Sequence, residues 1–451
     1  MSIRLIPLAP LCLAGLWLQT PPARQAAPPV IPKTPDVVAP PPLTLQPPSA
    51  NELGAKPLSL TEAIAIALKK QPQVATAQGN LIIAQGQTQQ TASAALPQVS
   101  ASVVAGNQVS LVGNPVAPGG VTLGFSVSQL LFDFGRTRDQ VRQQQALQRA
   151  AERNLSVTNL SVTLQVKLDY YSFLQAKEDV DLEAADVTNR QRQLDEASAR
   201  VTSGIGPPSD LVQAKANLAD ASISLVSFRS SVLKSQVALA QDIGVDPRTP
   251  ITPMAGTEEA VPFEDEVKTL VADALSHRPD VQAAREQVAA AQFGLAAARK
   301  GRLPVATISA GTAGQDPTAP FASQVGTLSL GVTWLLDDGG ATAGQIKQQL
   351  GAIKVARAGL DTVTQQAIAD VSNASIDLAA ARQRLDLAQT ANANAQELVR
   401  ITEGLYDGGL GQFLDITNAQ ASLVTAQTSL VQARADLQRA RAALRYAIGM
   451  A

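Results

Sequence analysis

"SGIGPPSDL" (203–211) and "GGLGQFLDI" (408–416) are one turn written twice. Gly204, Gly206 and Asp210 face Gly409, Gly411 and Asp415, each pair 205 positions apart. Each turn follows a long polar tract and precedes a tract rich in Ala, Gln and Leu, so the spacing predicts two helical hairpins. Glycine enters the left-handed region at no steric cost, which puts Gly204 and Gly409 at the ends of the incoming helices. Ser209 and Asp415 are then expected to cap the returning ones.

The likeness extends in both directions. "LTEAIAIALKKQPQVATA" (60–77) matches "VKTLVADALSHRPDVQAA" (267–284), and "LPQVSAS" from Leu96 matches "LPVATIS" from Leu303, each 207 positions apart. "LLFDFGR" (130–136) matches "LLDDGGA" (335–341) at 205, so a loop tip between the apolar segments absorbs two residues. The chain is a tandem duplication. The first unit spans 59–246 with a hairpin at 97–133, and the second spans 263–451 with a hairpin at 304–338. A Pro-containing linker, 247–262, joins them.

Each unit begins with a helical tract (60–95; 267–301) that Pro72 or Pro279 interrupts. Two alternating segments follow. In "VTLGFSVS", Val121, Leu123, Phe125 and Val127 share a face opposite Thr122, Gly124, Ser126 and Ser128. "LSLGVTWLL" (328–336), "VSASVVA" (99–105) and "VATISAG" (305–311) have the same period of two, the mark of a strand with one apolar and one small polar face. Long helices come next, about 136–202 and 341–403, and helices 210–242 and 415–448 return. "LSVTNLSVTLQVKL" (155–168) reads locally as strand, but its flanks and its counterpart place it in the helix.

Composition narrows the function. Net charge is −2 among 451 residues, which gives no electrostatic case for nucleic acid. One Cys and one His leave little for thiol or metal chemistry. His277 sits at the Pro279 interruption, where the other unit has Lys70, and reads as structural. No nucleophile constellation or P-loop appears, so the reading is not an enzyme, with no catalytic residues, cofactor or metal. Residues 1–20, with Arg4 ahead of an apolar run, read as a signal peptide, and Leu11 argues against lipidation at Cys12. Residues 21–58 are a Pro-rich extension that favours extended chain.

Four strands near the ~9–11 residues a tilted membrane strand needs cannot close on themselves. Two chains give eight strands, whose interior side chains fill, and three give twelve, the smallest closed number with room for a conduit. A helical scaffold without a pore is the rival reading.

The duplicated unit, "LSLTEAIAIAL", "HRPDVQAA", "SQLLFDFGR" and "LYDGGLGQFLDITNAQASLVTAQTSLVQARADLQRARAAL" resemble the TolC-type outer-membrane efflux proteins across 59–450. The resemblance implies a mixed α and β, mainly α, fold. It implies a homotrimer with a twelve-stranded barrel in outer-membrane lipid, continued by a periplasmic helical barrel. The implied partners are a periplasmic adaptor (membrane fusion protein) and an inner-membrane transporter. By position, Asp210 and Tyr406 resemble the hydrogen-bonded pair that holds the tip closed, and Asp415 the aspartate ringing the constriction. Gly204, Ile205, Gly206, Gly409, Leu410 and Gly411 fall where the adaptor docks. Gly411 and Asn418 depart from the family's gate arginine and second ring aspartate.

Overall fold

A computed structural model describes residues 57–106, 120–254, 267–314 and 324–450. The leader, the Pro-rich extension to Lys56, both hairpin-loop tips and the linker beyond Met254 lie outside the described residues. No helix among the described residues is long and apolar enough to cross a membrane.

The prolines act as expected. α1 (Leu60–Lys70) and α2 (Pro72–Ser93) meet at Pro72, and the second copy divides at Pro279. Each proline takes the first helical turn, where its missing N–H costs nothing. Ser59 opens α1 with a capping box, its backbone N–H donating to Glu62 at 3.0 Å.

β1 (Gln98–Gly106) and β2 (Gly120–Phe132) form the first hairpin. α3 (Arg136–Thr202) and α4 (Pro208–Ile243) complete that copy. The second copy supplies α5 (Val267–His277), α6 (Pro279–Arg299), β3 (Val305–Gly314) and β4 (Gln324–Thr333). It ends with α7 (Ala341–Asp407) and α8 (Phe413–Ala447). At ~1.5 Å per residue, the 67-residue α3 and α7 each run about 100 Å. The strand-like run 155–168 is helical throughout. Its apolar residues Leu155, Val162 and Val166 belong to a core cluster, and Ser156, Thr158 and Thr163 return their hydroxyls to carbonyls four residues back.

The strands form one antiparallel sheet in the order β1-β2-β3-β4, the two hairpins joined by β2 against β3. Val99 pairs with Val127, Ala101 with Phe125, Ile308 with Leu330 and Ala310 with Leu328, all on one face. Those side chains are open, with Val99 74%, Leu328 76% and Leu330 70% exposed. The other face carries hydroxyls, Ser100 to Ser126 and Ser309 to Ser329, each pair 2.7 Å apart. A bulge between Leu130 and Phe132 turns Phe132 back to the apolar face, against Ala306. β4 stops at Thr333 rather than continuing to Leu336. There Trp334 Nε1 donates to the Arg302 carbonyl at 3.1 Å, and Asp337 and Asp338 bend the chain.

The strand-to-helix junctions are the same device. Asp133 accepts from the N–H groups of Gly135 (2.9 Å) and Thr137 (2.6 Å), and Asp338 from those of Gly340 (3.1 Å) and Thr342 (2.7 Å). Burial pushes the Asp133 carboxyl up, but the bonds from Thr137, Gly135 and Arg136 outweigh it and leave it below its usual range. Bonds from Thr342 hold Asp338 low as well.

The cores at the α1 and α5 level are also duplicated. Ala67, Val166, Leu239 and Ile243 fill one, and Ala274, Val371, Leu444 and Ile448 fill the other. Tyr170 adds a lock to the first copy alone, its hydroxyl 2.8 Å from the Leu58 carbonyl and 2.6 Å from that of Met254. Ser375 takes the equivalent place in the second, its hydroxyl buried without a partner.

Candidate functional site at the hairpin tips

Both tips end in the same hydrogen-bonded cap. Gly204 (φ 74°) and Gly409 (φ 75°) take the left-handed conformation after Ser203 and Gly408. Ile205 N–H returns to the Arg200 carbonyl at 3.0 Å and Gly204 N–H to that of Val201 at 3.1 Å. In the second copy Leu410 N–H returns to the Leu405 carbonyl at 2.8 Å and Gly409 N–H to that of Tyr406 at 3.0 Å. This is the Schellman pattern, in which the residue after the glycine usually folds an apolar side chain back on the helix. Here it does not. Ile205 is 79% exposed and Leu410 83%, the two highest values among the exposed large apolar side chains of the described residues.

Gly206 and Gly411 are tight for another reason. A Cβ on Gly411 would lie 3.0 Å from the Tyr406 nitrogen, and one on Gly206 would lie 3.1 Å from Arg200 Cβ. The absence of an arginine at 411 therefore matches a turn that has little room for a side chain.

The returning helices start differently. Gln412 rather than Asp415 holds the N-cap of α8, and Asp415, three residues on, completes a capping box by accepting the Gln412 N–H at 3.2 Å. Ser209 does not cap α4, because Pro207 holds the cap position and Pro208 the first helical one. Proline 207 has no N–H to offer, and Ser209 only approaches Asp210 at 3.5 Å.

Tyr406 (9% exposed) lies between the two hairpins with Ala197, Ala214, Phe413 and Ile416. Its ring faces Phe413 at 6.1 Å. No hydrogen bond joins Tyr406 to Asp210. Arg200 of α3 instead stacks over the Tyr406 ring at 4.2 Å and pairs with Asp407 at 3.5 Å. Burial raises the Tyr406 hydroxyl above its usual pKa. Arg200 opposes that rise, and the charges of Asp210, Glu196 and Asp407 add to it.

Sequence reasoning missed Arg200. Its counterpart is Leu405, so the duplication gave no hint, and only the docking of α3 against α8 brings it to Tyr406.

Asp415 and Tyr406 line different cavities. Asp415 opens on a groove of about 300 Å³ with Leu398, Leu405, Asn418 and Ser422. Tyr406 borders one of about 180 Å³ between α3, α7 and α8, with Gln193, Glu196, Glu403 and Gln420.

The profile of the family described as "Outer membrane efflux protein" matches residues 63–245 and again 270–450, one match per copy. Outer membrane efflux protein BepC of Brucella suis is 26% identical over 308 residues, covering 67% of this chain and 66% of that protein. Protein CyaE of Bordetella pertussis is 26% identical over 383 residues, covering 83% and 80%. Among solved structures, the outer membrane protein VceC of Vibrio cholerae superposes with a TM-score of 0.75 at 23% identity, over 87% of this chain and 96% of that one. The open state of the Neisseria gonorrhoeae MtrE outer membrane channel gives 0.73 at 20%, over 90% and 95%. The duplicated strand-and-hairpin unit and the double profile match make this chain a member of the outer membrane efflux protein family.

Proposed function

We propose that three copies of this chain close their sheets into a twelve-stranded barrel in outer-membrane lipid. Their long helices continue it as a periplasmic tube. The assembly is the passive exit duct for substrates that an inner-membrane transporter delivers through a periplasmic adaptor. One observation carries this reading: the sheet has a predominantly apolar face, and among the described residues β1 and β4 have no partner on their outer edges. In hydrocarbon each unpaired backbone group costs several kcal/mol, so the edges require neighbouring chains. The hydroxyl face suits a wet lumen.

The tips are the gate and the docking point. Ile205 and Leu410, held outward by their glycine turns, are the apolar contacts for the adaptor, with Gly204, Gly206, Gly409 and Gly411 allowing close approach. Asp210, Tyr406 and Asp415 form the constriction, and Arg200 is the cation that ties α3 to α7 there. A partly exposed cation–π stack contributes about 0.5–1 kcal/mol, so three together shift the open fraction roughly tenfold or more. That is strong enough to hold and weak enough for a docking partner to release.

Single-channel recording in planar bilayers tests the gate. Arg200→Ala and, separately, Tyr406→Ala, which removes the ring beneath the guanidinium, are expected to raise the conducting fraction roughly tenfold. Parental conductance in both variants rejects this gate.

A further inference from the structure

Three segments of the chain meet at the foot of the sheet, where strands hand over to helices. One runs from β2 into α3 (132–142), one leaves α6 (299–303), and one runs from β4 into α7 (334–342). Lys300 Nζ reaches Asp139 at 2.6 Å and the Gly135 carbonyl at 3.4 Å, tying the second segment to the first. Arg302 pairs with Asp338 at 3.1 Å and its carbonyl accepts from Trp334, tying the second to the third.

Exposed aromatic and aliphatic groups gather there. Phe132, Phe134, Trp334, Leu335 and Leu336 are all open, and the Phe132 and Phe134 rings lie 4.7 Å apart. Among the described residues Phe134 is the only one other than glycine with a positive φ, 58°. The second copy has Gly339 in that place, at 59° and without strain. Glycine makes this turn more easily, so the ring and not the turn explains a phenylalanine at 134.

The cations gather on the same side. Asp139 takes Lys300 and Arg142, Asp337 and Asp338 take Arg302, and Asp133 is occupied by the N–H groups of Gly135 and Thr137. Arg136, Arg138 and Arg299 are left with no ion pair or hydrogen bond among the described residues, and Arg138 and Arg299 are exposed. Their counterparts in the other copy are Ala341, Ala343 and Ala92, so this charge is no by-product of duplication. A basic patch in a chain of net charge −2, continuous with the apolar sheet face, calls for an anionic surface. Aromatic rings settle at the edge of the hydrocarbon, and guanidinium groups just beyond it meet phosphates.

We propose that Arg136, Arg138 and Arg299 bind the anionic headgroup of a phospholipid in the periplasmic leaflet, with Phe134 and Trp334 at the hydrocarbon edge. The proposal rests on the barrel reading and adds a lipid preference to it. Net negative charge is what attracts juxtamembrane arginines, so a zwitterionic headgroup is held less well.

Trp334 reports on the site directly. In a Trp17→Phe full chain it is the only tryptophan. The protein is reconstituted into phosphatidylcholine vesicles with increasing fractions of brominated phosphatidylglycerol or brominated phosphatidylcholine, and quenching of Trp334 fluorescence is followed. Phosphatidylglycerol is expected to compete about three- to tenfold better, an advantage that shrinks towards unity at about 0.5 M salt. Arg136→Gln with Arg138→Gln and Arg299→Gln should erase that advantage. Quenching by brominated phosphatidylcholine should persist in this variant, which shows it folded in the bilayer. Equal quenching by the two lipids in the parent, or an undiminished advantage in the triple variant, overturns the headgroup site and leaves the barrel standing. No quenching by either lipid overturns both.

Discussion

The two copies share a backbone acceptor at the tail of their returning helices but reach it with different groups. In the first, Gln71 Nε2 donates to the Asp242 carbonyl at 3.2 Å. In the second, Arg278 Nη1 donates to the matching carbonyl of Ala447, also at 3.2 Å. Arg278, 5% exposed, then gathers Asp280 at 2.7 Å and Asp370 at 2.9 Å. The first copy has Gln73 and Gln165 in those places, and keeps its acids elsewhere, as Asp169 and Asp242 where the second has Ala374 and Ala447. One fold therefore tolerates opposite electrostatics. A buried cation among carboxylates holds one joint, and in the other burial and the neighbouring Asp169 push the Asp242 carboxyl up.

The largest expected effect breaks the cationic joint. Arg278→Met removes the cation paired with Asp280 and Asp370 and strips the Ala447 carbonyl of a donor. Removing one partner of a buried ion pair costs 3–5 kcal/mol in general; these carboxylates are about 30% exposed, so about 3 kcal/mol is expected. Gln71→Met loses one neutral hydrogen bond, about 1 kcal/mol. Denaturant unfolding of the detergent-solubilised protein, followed by circular dichroism, should rank them in that order. Equal losses would mean the charges contribute nothing beyond the shared bond.

How legible this was depends on range. The duplication, the prolines at the helix breaks, the period-two strands and the glycines of the tips are local patterns, and each placed its element. Arg278 stood in a motif that sequence analysis quoted, yet its partner Asp370 lies 92 residues away, and no periodicity links them. Arg200 over Tyr406 spans a still longer gap. The cap at Ser209 was misplaced because two prolines occupy the positions that its counterpart fills with Gln412 and Phe413. Side-chain function at the tip is written across the repeat boundary, where the internal likeness carries no information.

The acidic joint should show in the pH profile. Burial, then contact with Asp169, raises the Asp242 carboxyl from 3.8 to about 7. The folded chain therefore keeps a proton that the unfolded chain releases near pH 4. The stabilisation is full below that and is lost as pH rises through about 7. Because water reaches part of the site, the change is about 1–2 kcal/mol rather than the full linkage value. Asp242→Asn should flatten stability between pH 4 and 8, while Asp370→Asn in the other copy should not reproduce that flattening. A parent whose stability is already flat in this window would show that Asp242 keeps no proton on folding.

The smallest effect separates the two tips. Asp415 completes the capping box of α8 by accepting the Gln412 N–H, whereas Asp210, at the same place in α4, has only Pro207 ahead of it and no N–H to accept. The first tip is set by proline's fixed φ, which restricts the unfolded chain, and the second by a bond made only on folding. Asp415→Ala should cost about 0.5–1 kcal/mol and Asp210→Ala only the weaker attraction to the helix dipole, a few tenths. Amide hydrogen exchange resolves this locally: protection over 412–416 should fall several-fold in Asp415→Ala, while protection over 209–213 should hardly move in Asp210→Ala. Equal loss at both tips would show that the carboxylates act through charge alone. In that case the proline pair and the capping bond would be interchangeable ways of starting the same helix.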